Sequence, residues 1–200
     1  MKRVVLTGGP CAGKTTTLNK LRCAFDNRIV IVPEAATMLL SSGFPVPGEE
    51  IEWSPEWQME FQAAIFAVQK SMENVYTLLA QEQGASLVIC DRGLLDGAAY
   101  TQGGLKAFCQ VHNVDLPAVL ARYEAVIHLE SLAVGRPELY GKTSNEKRME
   151  SLEEARKLEL AIRMIWSNHA NYFFINSENT MTEKISKVID IVETILLRET

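Results

Sequence analysis

The segment Gly8-Gly9-Pro10-Cys11-Ala12-Gly13-Lys14-Thr15 constrains this chain more than any other. It fits the pattern G-x-x-x-x-G-K-[ST], and that spacing has a physical reason. Glycines let the backbone curl until successive N–H groups point inward at phosphate oxygens. A helix that starts where the loop ends adds its positive N-terminal end. In such an arrangement Lys14 reaches the β- and γ-phosphates and the Thr15 hydroxyl ligates Mg²⁺. Thr16 completes the candidate nucleotide-binding set. The bare pattern arises by chance in about one chain per hundred of this length. Here its flanks agree, because Val4-Val5-Leu6 reads as a strand before it and a helical pattern follows.

Around that loop, short β-rich apolar runs alternate with longer helical patterns, the signature of βαβ units on a buried parallel sheet. Strands are expected at residues 3–7, 28–32, 87–90, 125–129 and 172–175. Helices are expected at 13–25, at 55–83 behind a Ser54 cap and Pro55, at 144–169 and at 182–198. A short helix is expected to open at Ala35. Two Gly- and Pro-bearing stretches, 41–53 and 131–143, read as loops long enough to act as lid or flap. With 47% hydrophobic residues, the 200-residue chain suits one domain, residues 1–200, with a lid region at about 131–150.

Further candidates sit at strand ends. The run Leu87-Val88-Ile89-Cys90 delivers Asp91 to the edge where α/β sheets bind ligands, the place for a carboxylate that supports Mg²⁺. Arg92 follows at once and either faces the ligand or pairs with a carboxylate. Glu34 ends the second strand; it either accepts a proton from an acceptor hydroxyl or caps the helix at Ala35. On the long helix, Gln62 offers an amide to a base or sugar, or to solvent. Arg148, Arg156 and Arg163 fall within about 80° on a helical wheel, a row able to clamp phosphate charge. Arg148, nearest the loop, is the first choice for a lid arginine. The spacing equally allows surface pairs, Glu159 with Arg163 and Glu153 with Lys157. His169 reads as a favourable charge at a helix C-terminus.

The bulk properties exclude several classes. A net charge of −5 argues against nucleic acid as the main partner. No apolar run approaches the length of a membrane span, and the apolar strand after Met1 is too short for a signal segment, so a cytoplasmic protein is expected. Cys11, Cys23, Cys90 and Cys109 form no CxxC pair or metal-ligand spacing and read as reduced thiols.

Taken together, Thr7-Gly8-Gly9-Pro10, Gly13-Lys14-Thr15-Thr16, Val32-Pro33-Glu34-Ala35-Ala36, Phe61-Gln62 with Gln69, and Cys90-Asp91-Arg92-Gly93 resemble the NadR/Ttd-type P-loop ATPase family. The likeness continues through Arg148-x-Glu150 and Trp166 to His169. It implies an α/β P-loop NTPase fold of the kinase type: a five-stranded parallel sheet with helices on both faces, a helical lid, and the Asp91 strand beside the loop strand. It further implies Glu34 as an acceptor base and Asp91-Arg92 as its catalytic companions. The expected function is transfer of the γ-phosphoryl of ATP, with Mg²⁺, to a hydroxyl of a small nucleoside-like acceptor. The alternative is a regulatory ATP- or GTP-binding switch acting through a protein partner.

Overall fold

Strands buried on both faces favour near-continuous branched and aromatic sequence. In the computed structural model, which describes residues 1–141 and 151–198, five such runs form the sheet. They are β1 (Lys2–Thr7), β2 (Ile29–Val32), β3 (Leu87–Asp91), β4 (Ala125–Leu129) and β5 (Tyr172–Ile175). All pair in parallel, in the order β2-β3-β1-β4-β5. The register sets Leu6 opposite Asp91 and Thr7 opposite His128. The chain therefore leaves β1 between β3 and β4, where the strand order reverses and open α/β sheets take ligands.

Eight helices cover the described part of the sheet: α1 (Lys14–Phe25), α2 (Ala35–Ser41), α3 (Pro55–Gln83), α4 (Gly104–Val111), α5 (Leu116–Leu120), α6 (Leu132–Gly135), α7 (Leu152–Trp166) and α8 (Met181–Leu197). The alternation of β1 divides the core. Val4 and Leu6 pack with Leu18, Leu21 and Phe25 of α1 and with Val188, Val192 and Ile195 of α8. Val5 faces the other side, with Ala80 of α3, Phe108 of α4 and Ile162, Ile165 and Trp166 of α7. Fully burying one such aliphatic side chain stabilises by about 1.5–3 kcal/mol, so the two layers fix β1, and the loop after it, from both faces.

Local chemistry sets the helix ends. The Ser54 hydroxyl accepts Trp57 N–H ahead of α3, and Gly84, at φ 69°, closes it. Capping boxes open α7 at Ser151 and Glu154 and α8 at Thr180 and Glu183. These caps correct the expected third helix, which starts at Leu152 and stops at Trp166, short of His169. The stretch expected as a loop from residue 131 instead carries α6 and a 3-10 turn at Pro137–Leu139, because the Ser131 hydroxyl caps Ala133 N–H. Residues 142–150, including Arg148, lie outside the described residues. Of the stretch 41–53 expected as a loop, Ser41 ends α2 and residues 42–53 are irregular as expected, tied by Gly48 N–H to Ile51 O at 2.9 Å. No helix among the described residues is long and apolar enough to cross a membrane.

Candidate nucleotide-binding site

The loop between β1 and α1 is shaped by its neighbours. A Cβ on Gly8, at φ 139°, would lie 2.0 Å from Leu129 O, so only glycine passes the last carbonyl of β4. Gly13, at φ 92°, begins α1, and Cys11 holds a left-handed conformation at φ 61°. The Ser131 hydroxyl donates a short bond to Pro10 O, and Ala12 N–H reaches Gly9 O at 3.3 Å. Lys14 Nζ lies across the loop, 3.0 Å from Gly8 O and 3.3 Å from Gly9 O. Desolvation and the charge of Arg92 lower its pKa to about 8, against the pull of Glu34, Asp91 and Asp96. Thr15 and Thr16 are exposed on the first turn of α1.

Asp91 arrives at this loop on β3, hydrogen-bonded in register with β1. Its Oδ1 is buried and has no partner among the described residues. Desolvation raises its pKa to about 6; Glu34 and Asp96 add to the rise, while Lys14 and Arg92 oppose it. The next residue, Arg92, adopts φ 68°, a costly conformation for a side chain with a Cβ. Its backbone is held there by two bonds, Arg92 N–H to Leu6 O at 3.0 Å and Gln69 Nε2 to Arg92 O at 3.2 Å. The guanidinium pairs closely with Glu34, reaches Asp96 Oδ1 at 3.3 Å and touches Gly8 O at 3.4 Å. Burial pushes the Glu34 pKa up, but Arg92, Lys14 and the Thr37 hydroxyl outweigh it and bring it to about 2. The capping alternative for Glu34 fails: its carboxylate bonds Arg92 and Thr37 and caps no N–H of α2.

Several residues that organise the site carried no assigned role in the sequence. Asp96, 3% exposed, accepts Thr7 Oγ1 at 2.5 Å and both Gly93 N–H and Trp166 Nε1–H at 2.9 Å, besides Arg92. Its place four residues after Arg92 was the one local signal that could have found it. Glu73 is fully buried and accepts from Tyr123, Arg122 and Gln69, the residue that also holds Arg92 O. Glu159 does not pair with Arg163 on the surface. It is 1% exposed and bonds Gly9 N–H, Ser131 N–H and His128. The other expected pair, Glu153 with Lys157, is present at 2.8 Å.

Glu34 and Arg92 also form one wall of a cleft of 740 Å³, lined by Trp57, Phe61, Phe66, Phe108 and Tyr100 among others. Trp57 and Phe61 stack at 4.8 Å between centroids. Gln62 lines this cleft and is only 5% exposed, so it is not a solvated side chain. Its Oε1 has no partner among the described residues. The two described members of the expected arginine row do not converge here: Arg156 donates to Ala133 O at 2.7 Å, and Arg163 lies 4.0 Å over the Phe174 ring. His169 is not an exposed helix-end charge. It is buried, with Nε2 toward Tyr123 O and Nδ1 accepting Asn171 N–H.

Among the described residues, no three His, Cys, Asp or Glu side chains are grouped to hold a metal by themselves. That suits Mg²⁺, which takes one or two protein ligands and fills its shell with water and substrate phosphates. The buried, unpartnered Asp91 Oδ1 and the Thr15 hydroxyl fit such a minimal donor set. A five-stranded parallel sheet with this glycine loop at its switch point defines an α/β protein of the P-loop nucleotide-binding class. A family model described as AAA domain matches residues 3–184, and the chain belongs to that family. No curated protein matches the sequence.

Proposed function

We propose that this chain is a kinase that moves the γ-phosphoryl group of ATP to a hydroxyl of a small nucleoside-like acceptor. The observation that carries this reading is a shared wall. Arg92 touches Gly8 O of the phosphate loop on one side and, with Glu34, lines the aromatic cleft on the other. Groups suited to a triphosphate and groups suited to an organic acceptor thus meet at one ion pair.

In this reading Lys14 and the backbone N–H groups that follow Pro10, from Cys11 to Thr16, bind and orient phosphate oxygens. Thr15 and Asp91 hold Mg²⁺, which when bound neutralises phosphate charge. Arg92 stabilises the negative charge that develops during transfer. Glu34, held near a pKa of about 2, is ionised and a weak base. Its role is to accept and aim the acceptor hydroxyl, which suits a loose transition state in which the proton leaves late. Gln62 Oε1 offers an unshared acceptor to a base or sugar, and Trp57 and Phe61 offer flat faces. Among the described residues, both cations that line the cleft are already engaged, Arg92 by Glu34 and Asp96 and Lys157 by Glu153. That favours an uncharged acceptor over a phosphorylated one. The sequence resemblance to NadR-type ribosylnicotinamide kinases points the same way.

The test is a hydroxyl-compound library assayed for ATP-dependent phosphorylation. At least one nucleoside-like compound should be phosphorylated. Glu34→Gln should then lower transfer by about 10²-fold or more while ATP affinity stays near wild type. Full transfer in that variant would remove the role given to Glu34. The rival reading, a regulatory nucleotide switch acting through a protein partner, draws support from the ion pair that occupies Glu34. It takes over if no acceptor is found and slow hydrolysis is insensitive to Glu34→Gln.

A further inference from the structure

The pattern G-x-x-x-x-G-K-[ST] leaves its second position open, yet Gly9 stands there, and α7 supplies the reason. A Cβ on Gly9 would lie 2.8 Å from Glu159 Oε2 and 3.2 Å from Glu159 Cα. The α7 backbone therefore abuts the loop so closely that a side chain here would have to displace the Glu159 carboxylate and push α7 back. From that contact Glu159 Oε2 accepts Gly9 N–H at 2.7 Å and Ser131 N–H at 3.2 Å. Its Oε1 lies 2.6 Å from Nε2 of His128 on β4. His128 is fully buried, and its Nδ1 has no partner among the described residues; because an ionised Glu159 can only accept, Nε2–H is the donor of this bond.

Burial raises the Glu159 pKa, but His128 and the two backbone N–H groups outweigh it and hold the carboxyl below its usual range. A buried carboxylate is costly unless its lone pairs are met, and here they are met from three separate elements. The charge lies behind the loop and does not line the aromatic cleft. It takes up Gly9 N–H within the protein. Together with the Ser131 hydroxyl on Pro10 O, it fixes the first half of the loop from behind.

We propose that Glu159 is a positioning residue for nucleotide binding, one that ties the opening of the phosphate loop to β4 and α7 so that occupancy of the loop and order in α7 are linked. The proposal rests on the reading of Gly8 to Thr15 as the triphosphate loop. Because α7 also presents Glu154, Lys157 and Leu158 to the cleft, Glu159 joins the two halves of the site through one helix.

Glu159→Gln keeps the shape but provides one acceptor oxygen and one NH₂ group. With NH₂ toward Gly9 and Ser131 it faces two N–H donors; with NH₂ toward His128 the ring must move its proton to Nδ1, which is buried and has no acceptor among the described residues, so a buried donor goes unmet either way. The experiment combines calorimetric titration with Mg·ATP and hydrogen exchange with a non-hydrolysable ATP analogue, on wild type, Glu159→Gln and a core control, Val192→Ala on α8. In wild type the analogue should slow exchange in both the loop and residues 155–163. Glu159→Gln should weaken Mg·ATP binding about tenfold or more, and its α7 amides should no longer respond when the loop is saturated. Val192→Ala should lower the melting temperature with affinity held within about twofold. Glu159→Gln binding within about twofold of wild type overturns the proposal. So does a wild-type α7 whose exchange ignores the analogue, a result that decides the matter even if Glu159→Gln fails to fold. Wild type that binds no Mg·ATP overturns the loop reading as well, whereas tight wild-type binding with either contrary result overturns the linkage alone.

Discussion

Replacing Asp96 with Asn should destabilise the fold by about 2–4 kcal/mol, from the donors its carboxylate receives. Oδ1 faces the Thr7 hydroxyl and Arg92, and Oδ2 faces Gly93 N–H and Trp166 Nε1–H. Asn keeps one oxygen and turns the other into a donor. With the NH₂ toward Gly93 and Trp166, two buried N–H groups lose their acceptor at about 1–3 kcal/mol each. With it toward Thr7, the hydroxyl can rotate to accept, and the loss falls on the Arg92 contact. The second orientation costs less and sets the lower end of the range. Full removal of the partner in Asp96→Ala belongs to the broken buried pairs, about 3–5 kcal/mol. For a chain of this size each kcal/mol moves the melting temperature by about 2–4 °C, so Asp96→Asn should lower it by about 4–16 °C in scanning calorimetry. A shift under about 2 °C would refute the view of Asp96 as the charged centre that joins β1, the Arg92 turn and α7.

Lys14→Ala should remove tight triphosphate binding with little change in melting temperature, because Lys14 bonds only loop carbonyls; calorimetry showing wild-type ATP affinity would contradict the loop assignment. Asp91 should give the protein without nucleotide a pH signature. Its carboxyl titrates near 3.8 when unfolded and at about 6 when folded, so the folded state holds the proton longer and stability falls as pH rises through that window. The loss is up to about 3 kcal/mol, and Asp91→Asn should flatten it in urea titrations at pH 4 to 7. Mg·ATP affinity should move the other way in wild type, strengthening as pH rises through about 6, because the cation needs the carboxylate.

The parts of this fold that were legible in the sequence are those whose cause is local. The five strands announced themselves because burial on both faces demands apolar runs such as Leu87-Val88-Ile89-Cys90. The α3 boundaries followed from Ser54, Pro55 and Gly84, and the loop from its glycines. Glu34, Asp91 and Arg92 were found because strand ends point at the switch site; the structure gathers all three around Lys14. What the sequence hid depends on partners far along the chain. Asp96 meets Thr7 and Trp166, and Glu73 meets Tyr123, with no spacing rule to announce either. Glu159 was actively misleading, since Arg163 four residues later satisfies a surface-pair rule while the actual partner, His128, lies on β4. The short helices α4 and α5 also left no pattern long enough to read.

The two charges closest to the expected ligand share a thermodynamic condition. Lys14 is held down to about 8 and Asp91 up to about 6, each chiefly because burial disfavours its ionised form. Their mutual attraction offsets this only in part, and no bond joins them: Lys14 Nζ bonds carbonyl oxygens, and Asp91 Oδ1 bonds nothing among the described residues. By contrast Glu34, Asp96 and Arg92 satisfy one another and need no ligand to be stable. The fold therefore separates a finished ion network, which shapes the wall between loop and cleft, from a pair of unfinished charges. On the proposed reading, a phosphate beside Lys14 and a cation beside Asp91 would stabilise the two ionised forms that burial disfavours. Binding of either component alone should then leave one of the two charges unrelieved.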